Sequence, residues 1–280
     1  MNCRHGFITK SIGAGEFTVA CGDDLYICTA RGVFRNKKVT PVVGDHVIID
    51  INKKSIDTLK PRKNELRRPP VANIDQVIIT VAAVEPAFHA GLLDRFLVIA
   101  EHEGIDIAIC VNKFDLYKGA GTVFMPYKAH YPMIFASTVT GCGLDDLRGI
   151  MAGKLNVFAG PSGVGKSSLI NAVVPGASME TGDISERLKR GKHTTRHAEI
   201  LKTATGYCVD TPGFSSLEVE GIPARDIAGL FPEFLPYTGQ CKFNDCMHER
   251  ERDCAVKAQV GEMISPARYE SYCKFITKTT

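Results

Sequence analysis

"LNVFAGPSGVGKSSLINAVV", Leu155 to Val174, decides the fold of this 280-residue chain. An apolar run, a glycine-punctuated turn and a second apolar stretch follow one another, which reads as strand, loop and helix. Within it "GPSGVGKSS", Gly160 to Ser168, fits G-x-x-x-x-G-K-[ST] in the strand-to-helix context that the motif requires. Gly163 and Gly165 permit a tight loop, completed by Pro161, Ser162, Val164 and Ser168, whose backbone N–H groups and following helix N-terminus surround phosphates with positive potential. Lys166 is placed to reach the β- and γ-oxygens, and Ser167 to set its hydroxyl on Mg²⁺.

Outward from this loop, strand and helix alternate. "QVIITVAAV" reads as a buried strand, "GLLDRFLVIAEHEG" as a helix, "DIAICVNKFDL" as a strand running into a loop, "YPMIFAST" as a strand and "GLDDLRGIM" as a helix. That alternation predicts a parallel sheet covered by helices, with binding loops at the carboxyl ends of the strands. "GYCV" forms a further strand before "DTPGF", Asp210 to Phe214, where Asp210 supplies the metal's outer shell and Gly213 a backbone N–H for the γ-phosphate. The polar stretch "TGDISERLKRGKHTTRHAE" between them holds Thr194 and Thr195, either of which completes Mg²⁺ coordination once a nucleotide orders the loop.

One motif stands in an unusual place. Asn112, Lys113, Phe114 and Asp115, "NKFD", match N-K-x-D, whose carboxylate accepts hydrogen bonds from the guanine N1 and exocyclic amine, a pattern adenine cannot supply. It precedes the phosphate loop, as does "AST", Ala136 to Thr138, where Ser137 belongs to a second base-side loop. An ordinary GTPase has the phosphate loop first. Because every motif falls on a loop at one sheet edge, joining the old termini and opening the chain elsewhere leaves the site whole, so the order reads as a circular permutation.

Before residue 66, "GFITKSIGAGEFTVACG", "LYICTARGVF" and "TPVVGDHVIIDI" are short β-like stretches with turn punctuation, the pattern of a small barrel of about five strands such as an OB-fold. Through Arg68 there are 13 basic against 7 acidic residues, and beyond it 21 against 24, so the overall charge of +3 hides a basic front that suits a polyanion such as RNA. "LKPRKNELRRPP", Leu59 to Pro70, reads as a basic linker, with Arg62, Lys63, Arg67 and Arg68 offered to phosphates. At 44% apolar and 23% charged residues the chain excludes a disordered or fibrous protein. No apolar run reaches the ~20 residues of a membrane span and "MNCRHGFITK" lacks a secretory h-region, so a cytoplasmic protein with no membrane partner is expected.

Most of the ten cysteines stand singly, as small buried hydrophobes do in a reducing compartment. Cys241, Cys246, His248 and Cys254 are different, since "CKFNDCMHERERDC" gives C-x4-C-x-H-x5-C. Three thiolates and an imidazole suit a closed tetrahedral Zn²⁺ site, with no position left for water and therefore a structural role.

A basic OB-like front, permuted nucleotide motifs and a Cys3His tail together resemble the RsgA (YjeQ) family of circularly permuted GTPases, over essentially the whole chain. The resemblance implies three domains: residues 1–66 an all-β OB-fold barrel, 67–222 an α/β P-loop GTPase domain in permuted order, and 223–280 a helical zinc-binding domain. It implies a GTPase that converts GTP to GDP when stimulated by the small ribosomal subunit, late in that subunit's maturation, with barrel and zinc domain gripping its rRNA, and acting as a monomer. Phe214 follows "DTPG" where a water-orienting Gln often stands, and the family's candidate for that duty is His193, beside Lys166 as the second catalytic residue. A GTPase serving tRNA or the large subunit, an ATP-using kinase, and a passive RNA-binding module are the rival readings. "NKFD" disfavours the kinase, and intact Lys166, Ser167 and Asp210 disfavour the passive module.

Overall fold

Strand β8 (Gln76–Ala82) is buried at every residue and lies between two parallel neighbours, β9 (Asp106–Asn112) and β11 (Leu155–Ala159). The computed structural model describes residues 3–36, 39–67, 70–119, 122–174, 177, 198–204, 206–210 and 221–279. Beyond β9 runs β10 (Met133–Phe135) and beyond β11 runs β13 (Tyr207–Asp210), both parallel, while β12 (Glu199–Lys202) pairs antiparallel with β13. Alternate residues serve opposite faces, as the period-2 pleat dictates. Ile78, Cys110, Ile134 and Phe158 pack against the helices Leu144–Met151 and Lys166–Val173, whereas Val77, Ile79, Ile109 and Val157 belong to the core that holds the helix Ala90–His102. A sheet covered on both faces needs continuously apolar strands, which is what "QVIIT" and "DIAIC" supply.

The front of the chain closes into a five-stranded barrel, β1 (Cys3–Gly13), β2 (Glu16–Cys21), β3 (Asp24–Ala30), β4 (His46–Asp50) and β5 (Ser55–Leu59), ordered β1-β2-β3-β5-β4 with β4 returning to β1. This is the OB-like barrel expected from the turn spacing. It is not a separate sheet. β1 also pairs with β12 through Lys10 and Glu199, so among the described residues one eleven-stranded sheet runs from the barrel into the α/β layer. Lys10 Nζ reaches Glu199 Oε2 at 2.6 Å, and the Phe7 ring meets Tyr207 edge-on at 5.2 Å. The polar stretch before Ile200 gave no period-2 signal, and β12 was not expected; its partner β13 and the edge of β1 impose the strand.

The expected linker is a packed strap instead. β6 (Glu65–Arg67) and β7 (Pro70–Ala72) form a two-stranded pair, and Val71 bridges to Val43. Arg62 sends Nε and Nη2 to both oxygens of the fully buried Asp45, at 2.7 and 2.8 Å, and Nη1 to Glu65. Lys63 is bonded to Asp75. Of these two cations, expected to face phosphates, Arg62 is drawn into the fold by Asp45, while Lys63 stays at the surface in its pair with Asp75. The side chains of Arg67 and Arg68 lie outside the described residues.

The remainder forms short helices at Ala224–Ile227 and Ala255–Ala258 and a long one at Pro266–Thr279 that packs on the helix Ala90–His102. Among the described residues no helix is long and apolar enough to cross a membrane.

Removing one partner of a buried ion pair strands the other charge, so Asp45→Ala should lower unfolding free energy by about 2 to 3 kcal/mol, discounted from a fully buried case because Arg62 keeps some solvent contact. Urea titration of the two proteins checks this; an unchanged midpoint means that the strap is held by its apolar contacts alone.

Candidate functional site

Parallel pairing brings the loops after β8, β9, β10 and β11 to the carboxyl edge of one sheet. The loop after β11 holds Gly160, Pro161, Ser162, Gly163, Val164 and Gly165 before the helix that begins at Lys166. Gly160 has φ +136°, and a Cβ there would lie 2.1 Å from the Thr80 carbonyl oxygen, so only glycine lets the loop pass over β8. Ser162 and Gly163 are exposed, Val164 is buried, and Ser167 and Ser168 are half-buried on the first turn. That first turn has N–H groups with no intrahelical acceptor, which is what an anion requires.

Lys166 folds back over its own loop. Its Nζ donates to the Gly160 and Pro161 carbonyls, both at 2.7 Å. Burial lowers its pKa to about 8, because a cation there has lost water and gained only neutral dipoles. A polyphosphate would supply the missing negative charge.

The base-side residues interlock with this loop. Asn112 ends β9, is buried, and donates from Nδ2 to the Val164 carbonyl at 2.8 Å. Gly165 passes so close that a Cβ on it would stand 2.3 Å from that nitrogen. Asn112 Oδ1 is buried with no hydrogen-bond partner among the described residues. Lys113 takes a left-handed conformation, φ 60°, and its Nζ donates to the Glu85 carbonyl at 2.6 Å. Phe114 to Leu116 form a 3-10 turn that leaves Asp115 exposed, with its acceptor oxygens open to a ligand carrying donors. The Phe114 N–H donates to the Ala136 carbonyl at 3.0 Å, which ties this turn to the second base-side loop. There Ser137 is buried, and its Oγ accepts from Val139 and Thr140 N–H groups at 3.2 and 3.1 Å.

Asp210 ends β13, hydrogen-bonded beside β11, so its backbone arrives at the same edge; its side chain lies outside the described residues. His193, Thr194, Thr195 and Gly213 also lie outside them. Ser167 offers a hydroxyl oxygen on the first turn of the helix, a donor of the kind that Mg²⁺ takes. The sequence reading missed the loop after β8, where Glu85 accepts from Lys113 and Pro86 approaches Gly163. Its contribution is largely a backbone carbonyl, for which no residue type gives a signal.

Cys241, Cys246, His248 and Cys254 converge at the far end of the chain, their ligand atoms all within 4.8 Å of one another. Cys241 Sγ lies 3.8 Å from Cys254 Sγ and 3.5 Å from His248 Nδ1, which is 3.4 Å from Cys254 Sγ. Ligands ~2.0 to 2.3 Å from a common tetrahedral centre would be separated by roughly such distances, so the residues fit a four-coordinate metal. Burial pushes the Cys246 thiol up to about 12. A divalent cation reverses that preference by binding the thiolate. The chain around the ligands is tied down by Tyr269, whose hydroxyl donates to the His248 carbonyl at 2.7 Å, and by Lys257, whose Nζ donates to the carbonyls of Glu249 and Glu251.

Comparison with known proteins places these features together. The model of the RsgA GTPase family matches residues 59–220, and that of the RsgA N-terminal domain residues 5–56. The chain is 44% identical to the small ribosomal subunit biogenesis GTPase RsgA of Alkaliphilus metalliredigens, over 97% of this chain and 96% of that one. It is 46% identical to the protein of the same name from Clostridium novyi, over 96% and 95%. Among solved structures it is similar to YjeQ from Thermotoga maritima, with TM-score 0.86, 35% identity and 99% and 98% of the two chains covered. YloQ, described as a circularly permuted GTPase, matches at TM-score 0.81 and 33% identity, over 99% and 95%.

Metal analysis of the purified chain should find one zinc per molecule, and Cys246→Ser should lower that occupancy and loosen residues 241–258 to protease while nucleotide affinity stays within about twofold. A zinc-free preparation with a protease-resistant tail would show that the four side chains pack without a metal.

Proposed function

The chain belongs to the RsgA GTPase family and hydrolyses GTP, and from that premise we propose that its activator is the small ribosomal subunit, on whose rRNA it acts late in maturation. The small-subunit reading rests on the relatives of that name, and the observation that carries the nucleotide site beneath it is the bond from Asn112 to the Val164 carbonyl, since it ties the base-side turn to a phosphate loop that follows it in sequence. A base on Asp115 and Lys113 and phosphates on Gly160 to Ser168 are thereby held by one rigid edge, with Ser137 closing the base side. Release of Lys166 from its two loop carbonyls to the β- and γ-oxygens restores the charge partner that burial denies it.

Mg²⁺ held by Ser167, Thr195 and, in its outer shell, Asp210 would neutralise charge on the transferred phosphoryl oxygens. The water is assigned to His193, because the Phe214 side chain has no hydrogen-bonding atom for the task. Residues 1–66 and 223–280 carry the RNA-facing duty, the latter stapled by one Zn²⁺ on Cys241, Cys246, His248 and Cys254, and residues 67–222 carry the chemistry. A basic barrel joined to the GTPase sheet through β1 and β12 suits docking on RNA and transmission to the nucleotide loops. The protein works as a monomer in the cytoplasm.

Asp115→Asn should weaken GTP binding by about 2 to 4 kcal/mol, since a charge-assisted pair is lost and a donor then faces a donor. Xanthosine triphosphate, with an acceptor at that position, should bind the variant better than GTP does; unchanged GTP affinity ends the guanine reading of this turn.

His193→Ala should leave GTP affinity and subunit binding intact while subunit-stimulated turnover falls at least roughly tenfold, about 1.4 kcal/mol. Steady-state rates with and without each purified subunit decide this. Full stimulation in the variant, or equal stimulation by the large subunit, contradicts the respective assignment.

A further inference from the structure

Arg268, on the C-terminal helix, is 1% exposed and binds two carboxylates from different parts of the chain. Nε and Nη2 reach Glu233 Oε1 and Oε2 at 2.6 and 3.0 Å, and Nη1 reaches Asp94 Oδ1 at 2.7 Å on the helix Ala90–His102. The guanidinium also lies over the rings of Phe231, 4.5 Å from its centroid, and Tyr127, 5.3 Å away. Such a triad is expensive to desolvate, and apolar residues of the same volume commonly fold as well, so stability alone does not account for charge in this position.

What the triad touches gives it a second role. The next residue, Tyr269, holds the carbonyl of His248, one of the four clustered metal-ligand candidates. On the other side Tyr127 begins an unbroken series of rings. Tyr127 meets Phe88 edge-on at 6.1 Å, Phe88 meets Phe124 at 5.1 Å, Phe124 meets Phe135 at 6.2 Å, and Phe135 meets Phe114 at 4.7 Å. Phe114 opens the turn that presents Asp115. Phe88 also lines a cavity together with Pro161, Ser162 and Val164 of the phosphate loop.

We propose that Arg268 is a positioning residue for the nucleotide, fixing the Phe114–Leu116 turn through Tyr127, Phe88, Phe124 and Phe135, so that the metal-bearing C-terminal region and the guanine site are energetically linked. The inference rests on the guanine reading of Asp115 given above. Linkage is reciprocal, so whatever braces the C-terminal region tightens nucleotide binding, and bound nucleotide steadies the C-terminal helix by the same factor. Close-packed rings transmit a displacement because none can move without opening a void.

The test uses the full-length chain and a fluorescent GDP analogue. Arg268→Lys keeps the charge and loses the fork and planar stacking. It should weaken GDP at least fivefold and raise the KM for GTP in parallel, with kcat within twofold and metal content unchanged. Phe124→Leu, at a ring that meets Phe88 on one side and Phe135 and Tyr117 on the other, should act in the same direction, and the two effects together should fall short of their product. In the parent protein, saturating GDP should slow amide exchange across Pro266–Thr279, and Phe124→Leu should abolish that slowing. Unaltered GDP affinity in Arg268→Lys, or amide exchange in the parent that ignores GDP, overturns the proposal. Should Arg268→Lys fail to fold, the apolar triple variant Asp94→Leu, Glu233→Leu, Arg268→Met and the exchange experiment on Phe124→Leu decide it by the same criteria. A parent protein that binds no GDP would instead overturn the guanine reading itself.

Discussion

Parallel pairing of β8 with both β9 and β11 is the constraint on which the rest depends. Strands that run the same way need long crossovers, and crossovers put helices on both faces and every carboxyl end on one edge. The edge, and not the chain order, therefore assembles the nucleotide loops. Cutting and rejoining the chain changes which loop is made first but not which loops are neighbours. Asn112 shows how tight that neighbourhood is: its amide is bonded across to Val164, and Gly165 must lack a side chain for the two loops to close.

The order of strands in the sheet also explains where the barrel attaches. In the order found here, β12 is an outer strand of the α/β layer with an unpaired side, and exposed edges invite pairing. β1 covers it, bonded at Lys10 and Glu199 and backed by Phe7 on Tyr207. β12 and β13 form the hairpin that ends at Asp210, so the barrel is joined to the strand pair that carries this residue. A polyanion held by the barrel would thus act on that hairpin through the backbone, without side chains reaching the phosphates.

What the sequence made legible was local and periodic. Gly160 to Ser168 announces strand, loop and helix because glycine, lysine and the apolar flanks each have one physical use there, and "NKFD" follows a strand whose burial its composition declares. β12 was hidden, since its order comes from β1 and β13 and not from its own residues. The strap at residues 59–70 was misread for a related reason. Prolines and cations describe a linker, but Asp45 turns Arg62 inward and Asp75 pairs with Lys63 at the surface. Charge counting reports sign and number, and only the fold reports which charges remain free.

The same argument separates three cations, Arg268 buried and Arg62 and Lys166 half-buried. Arg62 has two carboxylates and a carbonyl, so its charge is spent on holding the strap. Arg268 loses stability to burial and regains it from Glu233 and Asp94, which raise its pKa above the usual value. Lys166 has only carbonyls, and burial drives its pKa down. Two of the three are satisfied by the chain itself; the third is left short of one negative charge, on the loop whose first-turn amides face the same way in need. A ligand that brings multiple negative oxygens to that point relieves both deficits together, which is why a phosphate loop tolerates a buried lysine that an ordinary core would expel.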